Sequence, residues 1–206
     1  MYSRLSQEGD QEGGGVVNAP FQKQQILISG VGGQGILFIT RLLAETAIYK
    51  EYPVLTAETH GMAQRGGIVI SHIKVGGFSS PLIRPGKADV LLLLKEENLQ
   101  NHLFYLDPGG IAVVNTLSRP KCPEHRKMLR IDADGLANEV QQPKSVNLVL
   151  AGFALSALSR ISKQALFSLE DLRAILYQKL AGRDKLLKTS VSAFDLGVFY
   201  GEKVKI

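Results

Sequence analysis

Four glycines crowd the stretch GVGGQG at residues 30–35, directly after the apolar run Ile26–Ser29 and ahead of a helix-forming segment. A turn of this composition bares backbone N–H groups at a helix N-terminus, where aligned peptide dipoles add partial positive charge. Capture of a phosphate or carboxylate is the chemistry that suits it. Gly30, Gly32 and Gly35 have the spacing of a dinucleotide-binding fingerprint. One glycine permits the tight turn, one lets an anion approach the backbone, and one lets helix and strand pack closely. Gly33 and Gln34 add a permissive residue and a polar amide, which widen the loop. The same spacing also fits a tight turn that binds nothing.

A second stretch, Ala57–Gly76, sets Arg65 between Gln64 and the pair Gly66-Gly67. A guanidinium is a planar fork matched to phosphate or carboxylate, and flanking glycines let a guest or partner come close to the backbone. The bland alternative is a surface loop whose glycines only make a bulge before the next strand. His60, four residues before Gln64, is the chain's best candidate for a general base. A lone histidine more often serves as a hydrogen-bonding loop residue, and nothing else in the chain is a convincing base.

The elements that must position these residues alternate. Ile26–Ser29 reads as a buried parallel strand, followed by a helix to about Lys50 with Leu37, Leu42, Leu43 and Ala47 on its apolar side. Pro53–Ala57 and the β-branched, glycine-flanked Ile68–Val75 read as strands. ADVLLLLKEENL (88–99) reads as a buried strand passing into a helix, GGIAVVNT (109–116) as a strand after a Pro-Gly-Gly break, and MLRIDADGLANEV (128–140) as a strand and a short helix. Three helices close the chain. The first, behind Asn147, is apolar nearly all round and therefore buried; the second opens on a capping box, Ser168 with Asp171; the third carries Leu187, Val191, Phe194 and Val198 at helical spacing. This order predicts an α/β layered fold with a mostly parallel, Rossmann-like sheet and a helical C-terminal portion. In such folds ligands gather at the carboxyl ends of the strands, where the glycine turn lies.

Composition narrows the function. With 206 residues, 45% hydrophobic and 21% charged, the chain can bury one sizeable core. Residues 1–23, polar and glycine-rich, read as a flexible tail, which leaves 24–206 as the folded domain. The longest apolar runs, Val90–Leu94 and Leu148–Leu155, fall far short of the ~20 residues of a membrane span, and the start has no signal-peptide block. A single cysteine, Cys122, excludes an internal disulfide framework and makes the cytoplasm the default compartment. It also excludes an iron–sulfur cluster on this chain alone, since a cluster normally takes four thiolates. Cys122 itself reads as an incidental exposed thiol. His60, His72, His102 and His125 are scattered without ligand spacing, so no metal is expected; His72 reads as structural, His102 and His125 as surface residues. The net charge of +5 gathers at Arg119–Arg130 and Arg173–Lys188 without interleaved aromatics. That reads as a solvated face rather than a nucleic-acid platform, and attraction to an acidic protein remains open.

GVGGQGI at 30–36 together with ETHGMAQRGG at 58–67 resembles the gamma-type domain of 2-oxoacid:ferredoxin oxidoreductases, and within it the small (beta) subunits of the indolepyruvate enzymes. The resemblance extends through ADVLLLL (88–94), IDADGLANEV (131–140), SVNLVLAGFAL (145–155) and SAFDLG (192–197), covering about Gln24 to Gly201. It implies one subunit of a heteromeric enzyme that oxidatively decarboxylates a 2-oxoacid on thiamine diphosphate. Electrons pass through [4Fe-4S] clusters to ferredoxin, and the acyl group goes to coenzyme A. This chain lacks the cysteines for clusters, and its Ala-Asp-Gly at 133–135 is not the Gly-Asp-Gly that holds magnesium in thiamine sites. A larger partner subunit must therefore carry thiamine diphosphate, Mg2+ and the clusters; an α2β2 arrangement suits the resemblance, and the chain is not expected to act alone. Carried over by residue, Gly30, Gly32, Gly33, Gln34 and Gly35 would face one cleft with Gln64, Arg65, Gly66 and Gly67, positioning coenzyme A or the substrate carboxylate. Two rivals stand beside this reading. One is a free-standing NAD(P)-dependent dehydrogenase with Glu58 on the ribose, which the bulky Ile39 on the first helix argues against. The other is a non-catalytic assembly module.

Overall fold

The computed structural model describes residues 22–60, 67–161 and 166–205. The expected tail at residues 1–23 lies, up to residue 21, outside the described residues, as do Gln64, Arg65 and Gly66. The elements are β1 (Gln24–Val31), α1 (Ile36–Tyr49), β2 (Val54–His60), β3 (Ile68–Val75), β4 (Ala88–Leu93), α2 (Asn98–His102), β5 (Leu106–Asn115), β6 (Lys127–Ile131), α3 (Ala133–Glu139), α4 (Val146–Ile161), α5 (Leu169–Lys179) and α6 (Asp184–Glu202).

The sheet has six strands in the order β2-β3-β1-β4-β5-β6. β1, β4, β5 and β6 are mutually parallel, and β3 is antiparallel to both β1 and β2. Every strand except β3 therefore runs the same way, as a mostly parallel sheet requires. The departure from a dinucleotide-binding sheet lies at β3. There the second strand flanks the first; here the short link after β2 folds β3 back as a hairpin, and β3 takes the place beside β1.

Strand limits shift where local chemistry allows it. β2 runs on to His60 rather than stopping at Ala57, because β3 pairs with it over all seven residues. β5 starts at Leu106, ahead of the Pro-Gly-Gly break, and a register shift between Ala88 and Val90 absorbs the irregularity.

One face of the sheet carries the helices. Ile26, Ile28, Val90, Leu92, Ile111 and Val113 meet α1 and α4 across the larger apolar core. The other face holds a smaller cluster of Leu27, Leu91, Leu93, Ala112 and Val114, covered by Ile83 and Leu99. In α1, Ile36 and Ile39 take the core positions while Leu37 stays half-buried. In α6 the buried stripe is Ser190, Ala193, Phe194, Gly197, Val198 and Gly201, with Leu187 and Val191 only partly covered. Small residues matter there because α4 and α6 touch backbone to backbone: a Cβ on Gly197 would lie 2.0 Å from the Val149 carbonyl oxygen. The stretch Pro143–Ile161 is long and apolar enough to cross a membrane, but 61% of it is buried inside the fold, as the expected all-round apolar core helix demands. The Ser168–Asp171 capping box of α5 is formed in full.

Candidate functional site

β1 ends at Val31, and the chain turns over Gly32–Gly35 into α1 at the carboxyl edge of the sheet. Two of the turn's amides are used internally. Gly32 N–H donates to the Gly67 carbonyl at 3.1 Å and Gln34 N–H to the Val31 carbonyl at 3.2 Å. The Gln34 side chain folds inward: its Oε1 accepts from Val31 N–H at 2.9 Å and its Nε2 donates to the Leu94 carbonyl at 3.3 Å. This corrects the expectation of a widened loop with a polar amide facing a guest. Gln34 tightens the turn by joining β1 to the end of β4.

What remains open is the start of α1. The helix has no side-chain cap and no acidic residue in its first turn. Among the described residues, the backbone N–H groups of residues 33 and 35–38 have no hydrogen-bond acceptor. A helix end normally satisfies such donors with a capping side chain, water or a ligand. The cap position is Gly35, in the left-handed region at φ 73°. Its carbonyl accepts Ile39 N–H at 3.2 Å and Asn147 Nδ2 at 3.1 Å. Asn147 is 5% exposed, and its Oδ1 accepts from Leu148 N–H at 2.8 Å, which leaves its amide nitrogen aimed at Gly35.

Beside the turn lies a polar network at the ends of β4 and β5. Asn115 Nδ2 donates to the Leu94 carbonyl at 3.2 Å and to Asp134 Oδ2 at 2.9 Å. Its Oδ1 receives Ala133 N–H at 2.8 Å, fixing the start of α3. Lys95 Nζ lies 3.6 Å from Asp134. Thr116 and Ser118 both donate hydroxyl hydrogen bonds to Glu96, which hold its carboxyl below the usual range. Asn115, Lys95 and Asn147 were not singled out as site residues from sequence. Asn147 could be read only as the polar residue ahead of an apolar helix.

Other expectations divide. The backbone of His60 closes β2 opposite Val69. Gln64, Arg65 and Gly66 lie outside the described residues; Gly67 reaches the turn through its carbonyl. His72 is structural, with Nδ1 accepting Ile83 N–H at 3.2 Å. His102, expected on the surface, is 5% exposed because α2 turns it under the sheet against Tyr105. Cys122 is half-buried rather than exposed, and burial pushes its thiol up. Glu58 is exposed on β2, paired with Ser71 of β3, so a whole strand separates it from β1. Among the described residues no group of three or more His, Cys, Asp or Glu could hold a metal ion. With one cysteine in the chain, the donor set cannot supply the four thiolates of an iron–sulfur cluster.

A sheet with one reversed strand, a glycine turn tied to Gly67 just ahead of β3, and a helical C-terminal layer define an α/β layered fold built around the uncapped start of α1. A family model described as pyruvate ferredoxin/flavodoxin oxidoreductase matches residues 25–200, and the chain belongs to that family. The indolepyruvate oxidoreductase subunit IorB of Pyrococcus horikoshii is 31% identical over 199 residues, covering 86% of this chain and 95% of that protein. The gamma subunit of a keto/oxoacid ferredoxin oxidoreductase from Geobacter sulfurreducens shares the fold with a TM-score of 0.70 at 23% identity, over 88% of this chain and 99% of that one. The 2-oxoglutarate:ferredoxin oxidoreductase of Magnetococcus marinus, solved with 2-oxoglutarate, coenzyme A and succinyl-CoA bound, has a TM-score of 0.74 at 22% identity; the match covers 90% of this chain but 32% of that longer one. This chain is thus an oxidoreductase subunit of the 2-oxoacid class.

Proposed function

We propose that this chain is the small subunit of a heteromeric, cytoplasmic 2-oxoacid:ferredoxin oxidoreductase of the indolepyruvate kind. The complex converts an arylpyruvate and coenzyme A to the acyl-CoA and carbon dioxide, with electrons passed to ferredoxin. Residues 24–206 act as the gamma-type domain behind a tail at 1–23. A larger subunit carries thiamine diphosphate, Mg2+ and the [4Fe-4S] clusters, in an α2β2 assembly. This chain contributes an anion-binding wall. The open N–H groups of residues 33 and 35–38 receive a phosphate of coenzyme A or the substrate carboxylate, and Arg65, with Gln64 and the Gly66-Gly67 pair, reaches the same guest.

The observation that carries this reading is the uncapped start of α1. Its donors are held by Asn147 and by the Gly32–Gly67 tie, yet no acceptor among the described residues fills them. Preorganised N–H groups and a helix dipole favour an anion without any side-chain chemistry. The 31% identity to an indolepyruvate oxidoreductase subunit along nearly its whole length supports the arylpyruvate preference. Reconstitution tests it. The purified chain is expected to be inactive alone, and indolepyruvate-dependent ferredoxin reduction to require both subunits and coenzyme A. Equal turnover by the larger subunit without this chain would overturn the proposal.

A further inference from the structure

β2 stands at one edge of the sheet and pairs only with β3 among the described elements. Native proteins blunt such an edge with lysine, proline or a bulge, because its free N–H and C=O groups invite another strand. The opposite edge, β6, is blunted in that way: it is five residues long and carries Lys127 and Arg130. β2 is not. Its seven residues, VLTAETH, hold no lysine, arginine or proline, and their register with β3 is unbroken from Val54↔Val75 to His60↔Val69. The two largest exposed apolar side chains of α1, Ile48 at 62% and Tyr49 at 61% exposure, sit just before the link into β2.

The sequence of β2 is complementary to itself. If two copies meet antiparallel about a two-fold axis at Ala57, Val54 lies opposite His60, Leu55 opposite Thr59, Thr56 opposite Glu58, and Ala57 opposite its own counterpart. This is the one antiparallel register that pairs all seven residues. It places a hydroxyl against the only carboxylate and sets no like charges across from each other. The smallest side chain falls on the axis, where identical residues approach most closely. An isologous contact of this kind closes after two copies.

We infer that a second copy of this chain docks along β2, joining the two sheets into one of twelve strands. The linked loops and glycine turns then lie at opposite ends of the shared edge, so two sites work without obstructing each other. The contact needs neither the anion site nor any larger subunit, and its test is independent of both.

The full chain with Cys122→Ser receives either Ala57→Cys or Thr59→Cys, and each is oxidised with glutathione disulfide, alone and in the assembled enzyme. Residue 57 meets itself across the axis at a distance a disulfide can span, whereas residue 59 faces Leu55. The expected result is about tenfold more disulfide-linked dimer from Ala57→Cys than from Thr59→Cys. In parallel, sedimentation of the unmodified chain should give a dimer that Thr56→Lys converts to monomer. A chain that sediments as a monomer, a dimer unaffected by Thr56→Lys, or equal cross-linking at both positions would each overturn the inference.

Discussion

Gly32 and Gly67 are joined through their backbones, the N–H of the first donating to the carbonyl of the second at 3.1 Å. They are far apart in sequence, one after β1 and the other just before β3. The bond follows from the antiparallel pairing of β1 with β3, which ends at Val31↔Ile68 and delivers the next residue on each strand to the same place. The glycine turn and Gly67 are therefore neighbours because β3 was reversed, and a strictly parallel sheet would have parted them.

Arg65 stands two positions before Gly67 in the chain. Arg65→Ala in the assembled enzyme is expected to raise the KM for coenzyme A or for the 2-oxoacid by about tenfold or more, the scale of one lost hydrogen bond to a charged group. Arg65→Lys should recover part of the loss, keeping the charge but not the planar fork. Steady-state kinetics with each substrate varied in turn shows which guest the arginine holds. Unchanged KM and kcat for both would remove Arg65 from the site.

A Cβ on Gly35 would lie 2.3 Å from Asn147 Nδ2, at a φ of +73°. Gly35→Ala therefore meets a left-handed backbone penalty and displaces a buried hydrogen bond, together about 2–3 kcal/mol. Asn147→Ala loses only the hydrogen bond, about 1 kcal/mol. The double variant should cost less than the sum, because removing the asparagine makes room for the new methyl. Urea denaturation of the three variants checks this, and strict additivity would show that the two residues do not press on each other.

Much of this architecture was legible beforehand because it is local. The alternation of apolar runs and helical periods marks β1, β3, β4 and α4, and the Ser168–Asp171 pair announces its own cap. The glycine turn was legible as a turn, but not which of its amides stay open. Gln34 looks like a ligand-facing amide until β4 supplies the Leu94 carbonyl, and Asn147 looks like a helix leader until α4 is laid against Gly35. Each role is fixed by a partner at least 60 residues away, and a single sequence carries no record of such pairings. His102 escaped for the same reason: nothing around it in sequence shows that α2 folds beneath the sheet.

Stability should depend on pH through His72. Its Nδ1 accepts Ile83 N–H at 3.2 Å, so the neutral ring carries its proton on Nε2. Protonation would set two N–H groups against each other in a site 4% exposed. Burial holds this imidazole below its ordinary value of 6.5, and the nearby charges of Lys74 and His102 act in the same direction. His102 is lowered too, mainly by burial. Because the folded value lies below the unfolded one, the unfolded chain binds more protons between them. The stability these rings contribute is thus intact above 6.5 and is lost as the pH falls below it. Urea midpoints should decline across that acid window, and His72→Gln, whose amide oxygen can still accept from Ile83, should flatten the decline. An identical pH profile in the variant would clear His72 of the effect.

The dehydrogenase alternative makes the opposite demand on β2. In a dinucleotide-binding fold the ribose acid ends the strand beside the first, close enough to share the ligand with the glycine turn. Here β3 fills that slot, and Glu58 lies two strand spacings, about 10 Å, from β1 in the sheet plane. The inward Gln34 already engages the Val31 N–H, and the isoleucine at position 39, 2% exposed, fills a core position where dinucleotide-binding helices keep a small side chain for close packing on the strand. Titration of the chain with NADH, followed by nucleotide fluorescence, should therefore show no saturable change, and Glu58→Ala should alter nothing in that titration. Tight binding abolished by Glu58→Ala would instead require β2 to move beside β1. That rearrangement would break both antiparallel ladders of the sheet, and the Gly32–Gly67 tie would be lost with them.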